Sequence, residues 1–146
     1  MINPSIDPVP CGSGMQVIYT WDHFQQDKNP MMNFLGIHQP VNIVGIFSGG
    51  LVAAQFASSY AKATFSLVGF DENKEPFWIL DDRTDGMTVF VDDVIKTGKS
   101  ITTFLDMVPG SLGYILIATT EDVDSRVTYS RLQNAEGCNF APAWRF

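Results

Sequence analysis

Short, nearly unbroken apolar runs alternate along the chain with longer stretches whose apolar residues recur at helical spacing. Val41–Phe47 (VNIVGIF) ends at Ser48-Gly49-Gly50, and Leu51–Lys62 follows with Ala and Leu at helical intervals. A strand, a glycine turn and a helix in that order open a βαβ unit. Further buried strands are predicted over Phe65–Phe70, Thr88–Val91 and Tyr114–Ala118 (YILIA). Another helix is predicted over Ser100–Val108, stopped by Pro109-Gly110. Apolar strands alternating with helices imply a parallel sheet covered on both faces.

The flanking segments are less regular. Met15–Tyr19 reads as a strand or an extended entry. Thr20 then caps a helix from Trp21, with Asp22 where the helix dipole favours negative charge. Pro30 is expected to break that helix, leaving a second helical piece to about Ile37. Residues 71–87 are charged and turn-rich around apolar Phe77–Leu80, which suggests a hairpin or a mobile flap. Residues 1–14 form an expected irregular tail, with Gly12-Ser13-Gly14 as flexible linker, and residues 15–146 a single domain. From Glu121 the pattern weakens, ending in the aromatic Asn139–Phe146 (NFAPAWRF). No internal repeat is visible.

Composition narrows the function classes. The 146 residues are 45% hydrophobic and 17% charged, as in an ordinary globular domain. A formal net charge of −7 argues against broad nucleic-acid binding, which needs a basic field. It leaves phosphate ligands open, because a local ring of backbone N–H groups can hold an anion inside an acidic protein. Cys11 and Cys138 lack metal-ligand spacing; they are expected as reduced thiols in a cytoplasmic protein, a bridge between them remaining possible. Neither a basic, apolar signal sequence nor an apolar run of about 20 residues is present, so a soluble intracellular domain is expected.

The chemistry concentrates in Val89–Ile101 (VFVDDVIKTGKSI), where an apolar run meets two acids and then a Gly-Lys-Ser loop. A nucleotide P-loop requires glycine five residues before Gly98, and that residue is Asp93. What remains is a loop feeding a helix N-terminus, with Thr97 and Ser100 as hydroxyl donors, which suits a terminal monophosphate. Asp92 and Asp93 are expected to face solvent, a metal or hydroxyl groups, since an unpaired buried carboxylate is costly. Sugar hydroxyls and Mg2+ both suit such oxygens. The alternative is a helix cap beside a solvated acid. Ligands of open parallel sheets bind beyond the C-terminal strand ends, where the Ser48-Gly49-Gly50 turn should also lie.

TVFVDDVIKTGKS resembles the phosphoribosyl-pyrophosphate (PRPP) motif of the type I phosphoribosyltransferases. NIVGIFSGGLVAAQFA is similar to the pyrophosphate loop of their xanthine-guanine (6-oxopurine) branch, and IYTWDHFQ to that branch's N-terminal segment. The resemblance spans roughly Gln16–Ala118. It implies an α/β, Rossmann-like phosphoribosyltransferase fold: one domain, a mostly parallel sheet with helices on both faces, and a small hood from the chain ends. Residues 71–87 would be the flap and 121–146 the hood. It further implies a cytoplasmic transferase of purine salvage, moving phosphoribose from PRPP to a nucleobase. Asp92 and Asp93 would hold the ribose hydroxyls, directly or through Mg2+. Lys96, Thr97, Gly98, Lys99 and Ser100 would surround the 5-phosphate, and Gly49 and Gly50 would approach pyrophosphate. Phe140 or Trp144 would stack on the base unless they form a hydrophobic plug. A homodimer or tetramer is implied as well.

Three positions depart from that branch. Ser48 stands where an arginine meets pyrophosphate, and offers neither charge nor a bidentate fork. Lys96 replaces the aspartate that handles the base proton; an ordinary ammonium cannot act as that base, though it can contact phosphate. Thr120 lies near the lysine that reads the purine 6-oxo group. A catalytically degenerate protein that binds PRPP or a nucleotide as a sensor or regulatory partner is therefore the second reading. A receiver- or phosphatase-like domain, with acids at strand ends, is the third.

Overall fold

The computed structural model describes residues 8–11, 14–95, 99–133 and 138–144. In chain order the elements are β1 (Pro8–Cys11), β2 (Gly14–Tyr19), α1 (Trp21–His38), β3 (Asn42–Ile46), α2 (Leu51–Ala61) and β4 (Thr64–Phe70). They continue with β5 (Pro76–Leu80), β6 (Thr88–Ile95), α3 (Lys99–Met107), β7 (Leu112–Ala118), β8 (Val127–Leu132) and β9 (Cys138–Pro142). Strands β5-β4-β3-β6-β7-β8 form one sheet in that order, and β1-β2-β9 form a second. All strands of the larger sheet run parallel except β5, which returns antiparallel to β4. This is the mixed, mostly parallel α/β architecture that the alternating pattern implied.

Both faces of the larger sheet are buried, which is why its central strands read as continuous apolar runs. On one face α1 and α2 pack Met31, Phe34, Ala53 and Ala57 against Ile43, Val89, Val91 and Tyr114. On the other, α3 packs Ile101, Phe104 and Leu105 against Val44, Phe90 and Ile115. Asn42 pins the N-terminal side of the sheet. Its amide nitrogen donates to the Thr84 carbonyl at 2.7 Å, and its oxygen accepts from the Thr84 N–H at 2.9 Å.

Helix α1 starts as predicted, with Thr20 as its cap and His23 closing a capping box. It does not break at Pro30, however, but runs on to His38. An interior proline costs about 3 kcal/mol. The turns beyond it bring Met31, Phe34 and Leu35 into the core, and that burial outweighs the local penalty. Strand β6 extends to Ile95, four residues past the predicted end, so both aspartates lie within it. Residues 71–87 contain the predicted hairpin: Asp71 Oδ1 accepts from the N–H groups of Asn73 and Glu75 in the turn before β5.

The chain ends differ from expectation. Pro8–Cys11 is a strand rather than irregular tail. Strand β8, within the segment expected as hood, is instead the sixth strand of the main sheet. The small second sheet is β1, β2 and β9, with β2 and β9 parallel. Because β2 lies between β1 and β9, the backbones carrying Cys11 and Cys138 are two strand spacings apart, about 9–10 Å.

Candidate functional site

Strands β3 and β6 are neighbours, but the chain leaves them in opposite directions. From β3 it crosses through α2 to β4 on one side; from β6 it crosses through α3 to β7 on the other. The two helices lie on opposite faces. This is the switch point of an open α/β sheet, where a crevice forms beyond the carboxyl ends of the strands. The Ser48-Gly49-Gly50 turn, at the end of β3, opens onto it, and β6 ends beside it at Ile95.

The two segments are packed tightly together. A Cβ placed on Gly50 would lie 2.3 Å from the Val91 carbonyl oxygen and 2.8 Å from that of Ile46. Gly50 adopts an ordinary helical φ of −78°, so glycine is required here for space and not for backbone freedom. Its N–H donates to Ile46 O at 2.9 Å and that of Leu51 to Ser48 O at 3.3 Å, turning the chain from β3 into α2. Gly49 and Gly50 are buried while Ser48 is exposed.

One residue beyond the Gly50 contact come the aspartates. Asp92 is half-buried, and its Oδ1 accepts from the Asp93 N–H at 2.8 Å. Asp93 is 1% exposed, and its Oδ1 accepts from the Val94 N–H at 2.8 Å. The expectation that both carboxylates face outward therefore fits Asp92 better than Asp93. Lys99 and Ser100 are exposed at the start of α3. Lys96, Thr97 and Gly98 lie outside the described residues. Among the described residues no three His, Cys, Asp or Glu converge as a metal cage.

Thr119, which sequence reasoning passed over, ties two sides of the crevice together. Its N–H and hydroxyl both donate to the Ile95 carbonyl, at 3.2 and 3.0 Å, joining the end of β7 to the last residue of β6. Thr120 is half-buried, and its hydroxyl accepts from the Asp122 N–H at 3.2 Å. Phe140 and Trp144 pack around Tyr19, each with ring centroids 5.6 Å from it, and Trp144 also meets Trp21 and Phe24. These contacts make both rings part of an aromatic cluster that seats the small second sheet on α1.

A buried polar network was also missed. Arg131 Nε and Nη2 donate to the Asp27 carboxylate at 3.0 Å each, and the Tyr19 hydroxyl donates to Asp27 Oδ2 at 2.7 Å. Burial and the adjacent Asp27 carboxylate push the Tyr19 phenol far above its usual range, so it remains a donor. No spacing rule exposes a pair separated by 104 positions.

The fold thus described is that of the type I phosphoribosyltransferases. A purine phosphoribosyltransferase from Pyrococcus horikoshii Ot3 superposes with a TM-score of 0.66 at 18% identity, over 88% of this chain and 94% of that one. The xanthine-guanine-hypoxanthine phosphoribosyltransferase of Helicobacter pylori gives 0.65 at 16%, over 84% and 90%. A hypothetical protein from Neisseria gonorrhoeae, solved with bound ppGpp, gives 0.68 at 11%, over 93% and 92%. Neither a protein-family model nor a curated protein matches the chain.

Proposed function

We propose that the protein is a PRPP-dependent phosphoribosyltransferase that transfers phosphoribose to a purine-type base and releases pyrophosphate. The observation that carries this reading is the contact of Gly50 with Val91 at the switch point, which sets the glycine turn beside the acid-bearing strand. That adjacency suits a ligand with phosphate groups at one end and hydroxyls at the other. The phosphoribosyltransferase fold of the neighbours supports the same class.

In this reading Asp92 and Asp93 hold the ribose hydroxyls, and Lys96–Ser100 hold the 5-phosphate at the N-terminus of α3. Gly49, Gly50 and the first amides of α2 approach the pyrophosphate, with Ser48 adding one hydroxyl. Two adjacent carboxylates are hard oxygen donors and suit Mg2+, whose remaining ligands would be substrate oxygens and water. When bound, the ion would offset charge on the departing pyrophosphate. Opening of the ribose C1 bond builds positive charge on the sugar ring, so catalysis rests on positioning and electrostatic stabilisation. The base lies under the hood near Phe140 and Thr120. The protein works in the cytoplasm, in purine salvage, as a homo-oligomer.

A second reading, nucleotide binding without turnover, is favoured by Ser48 and Lys96, which remove charge from the pyrophosphate side and a base from the proton-transfer position. The likeness to the ppGpp-bound Neisseria protein points the same way. Pyrophosphate release with PRPP, Mg2+ and a panel of nucleobases separates the two. Release with any base, reduced at least tenfold in Asp93→Asn, is the expected result. Tight binding of PRPP or a guanine nucleotide with no release across the panel establishes the second reading instead.

A further inference from the structure

The hairpin between β4 and β5 departs from ordinary turn chemistry at one position. The Asp71 N–H donates to Glu75 O and the Lys74 N–H to Asp71 O, each at 2.9 Å, leaving Glu72, Asn73 and Lys74 as the connection. A connection of this kind ends in the left-handed conformation, where glycine is the usual choice. Lys74 takes that place, with a φ of 60°. Among the described residues the other non-glycine positions with positive φ, Gln39 and Lys62, cap the C-terminal ends of α1 and α2. A side chain here carries strain that glycine avoids, so the turn by itself does not explain the lysine.

Its location supplies a reason. Ile46 faces Val68 in the β3–β4 register, and the Phe47 N–H donates to Val68 O at 2.8 Å. Pairing therefore continues to the residue before Ser48, and β4 ends two residues beyond Val68, at Phe70. The hairpin leaves the sheet at the same edge as the Ser48-Gly49-Gly50 turn, from a strand about 4.8 Å away. The acid-bearing β6 lies on the other side of that turn. A ligand whose hydroxyls meet β6 and whose pyrophosphate meets the glycine turn presents its far end to the hairpin.

Charge singles out the same residue. The turn offers a pyrophosphate backbone N–H groups and the Ser48 hydroxyl, and neither is a cation. Of the described cationic residues, Arg83, Arg126 and Arg131 are held by carboxylates. Lys28 lies over the Phe56 ring, and Lys62 closes α2 at the end away from the turn. Lys99 opens α3 and serves the 5-phosphate in the proposed function. Lys74 is exposed and, among the described residues, belongs to no ion pair.

We propose that Lys74 supplies the positive charge that Ser48 lacks, contacting the pyrophosphate of PRPP from the β4–β5 hairpin. The role rests on the PRPP reading of the site. Glu72 and Glu75 are exposed on the same turn, so the lysine works by direct contact and not through a long-range field. A flexible stem carrying three rotatable donors suits such a contact.

Calorimetry with inorganic pyrophosphate and Mg2+ tests this without turnover. Lys74→Gln and Lys74→Gly should each weaken binding about tenfold or more. Tm should be unchanged in the first and unchanged or raised in the second, because glycine relieves the left-handed position. Ribose 5-phosphate, which has no pyrophosphate, should bind wild type and both variants alike. Adding Ser48→Arg to Lys74→Gln should restore pyrophosphate affinity to near the wild-type value, since it returns a cation to the turn. Undiminished pyrophosphate affinity in both folded Lys74 variants overturns the proposal. So does an equal loss for ribose 5-phosphate, or a loss that Ser48→Arg leaves unrepaired in protein of wild-type Tm. A wild type that binds PRPP while the Lys74 variants lose nothing overturns the role of Lys74 alone. One that binds neither PRPP nor pyrophosphate overturns the proposed function with it.

Discussion

Asp27 and Asp93 are almost equally hidden from water, at 0% and 1% exposure, yet they are held in different ways. Asp27 receives the Arg131 guanidinium and the Tyr19 hydroxyl, groups brought from β8 and β2 to the middle of α1. Asp93 takes the N–H of the next residue, as does its neighbour Asp92. The first arrangement neutralises a charge and joins three elements. Two backbone N–H groups, those of Asp93 and Val94, help orient the carboxylate oxygens of the second at the end of β6. One acid serves the fold, and the proposed function gives the other to a ligand.

That contrast breaks most visibly at Arg131. Replacing Arg131 with Met strands a buried carboxylate and should destabilise the protein by about 3–5 kcal/mol. For a chain of this size that is a fall of about 10 °C in Tm, read by calorimetry. PRPP binding per folded molecule should persist. If Asp27→Asn with Arg131→Met recovers most of the loss, the cost lay in the unpaired charge rather than in the missing bond.

Asp93→Asn should behave in the opposite way. Asparagine keeps the acceptor for the Val94 N–H, so Tm should move little. Turnover with PRPP should fall by the equivalent of about 2–4 kcal/mol of transition-state stabilisation, a loss of tenfold to a thousandfold. A large Tm change with binding retained would place Asp93 with Asp27, as a structural acid.

Gly50→Ala tests the packing between the two loops. The added methyl meets backbone oxygen at 2.3 Å, which no rotamer can relieve. A stability loss of about 1–3 kcal/mol is expected by denaturant titration, with weakened pyrophosphate binding as the turn shifts from β6.

The smallest effect lies at His23. Its Nδ1 accepts from the Thr20 N–H at 2.9 Å in the capping box, a bond that protonation removes. Burial first, and then the Arg131 charge, lower its pKa from 6.5. The unfolded chain is therefore the better proton acceptor, and the cap's contribution is present above pH 6.5 and lost as the pH falls through the depressed folded value. The change should stay within the roughly 1 kcal/mol that a cap carries. His23→Gln keeps an acceptor that does not titrate and should flatten stability between pH 5 and 7.

Much of this architecture was legible from short-range pattern. Val41–Phe47, Thr88–Val91 and Tyr114–Ala118 announce central strands because a strand buried on both faces has no polar side to show. Glycine at 49 and 50 announces the turn, and the two acids before Thr97-Gly98 mark the proposed ligand edge. Strand β8 escaped notice because Arg131 occupies an inward position where an apolar residue would have completed the alternation, and its partner is on α1. Pro30 misled for a related reason: the local cost of proline is written in the sequence, whereas the core contacts of Met31, Phe34 and Leu35 that offset it are not.

The sequence by itself determined the βαβ order, the strand cores and the motif at the end of β6, since each depends on residues within a few positions of one another. Only the tertiary structure decided that β8 joins the main sheet, that Asp27 meets Arg131, that Gly50 abuts Val91 and that β5 returns antiparallel to β4 with Arg83 over its Trp78 ring. Those outcomes depend on which distant surfaces meet, and the free energy of such contacts belongs to the pair and not to either segment alone.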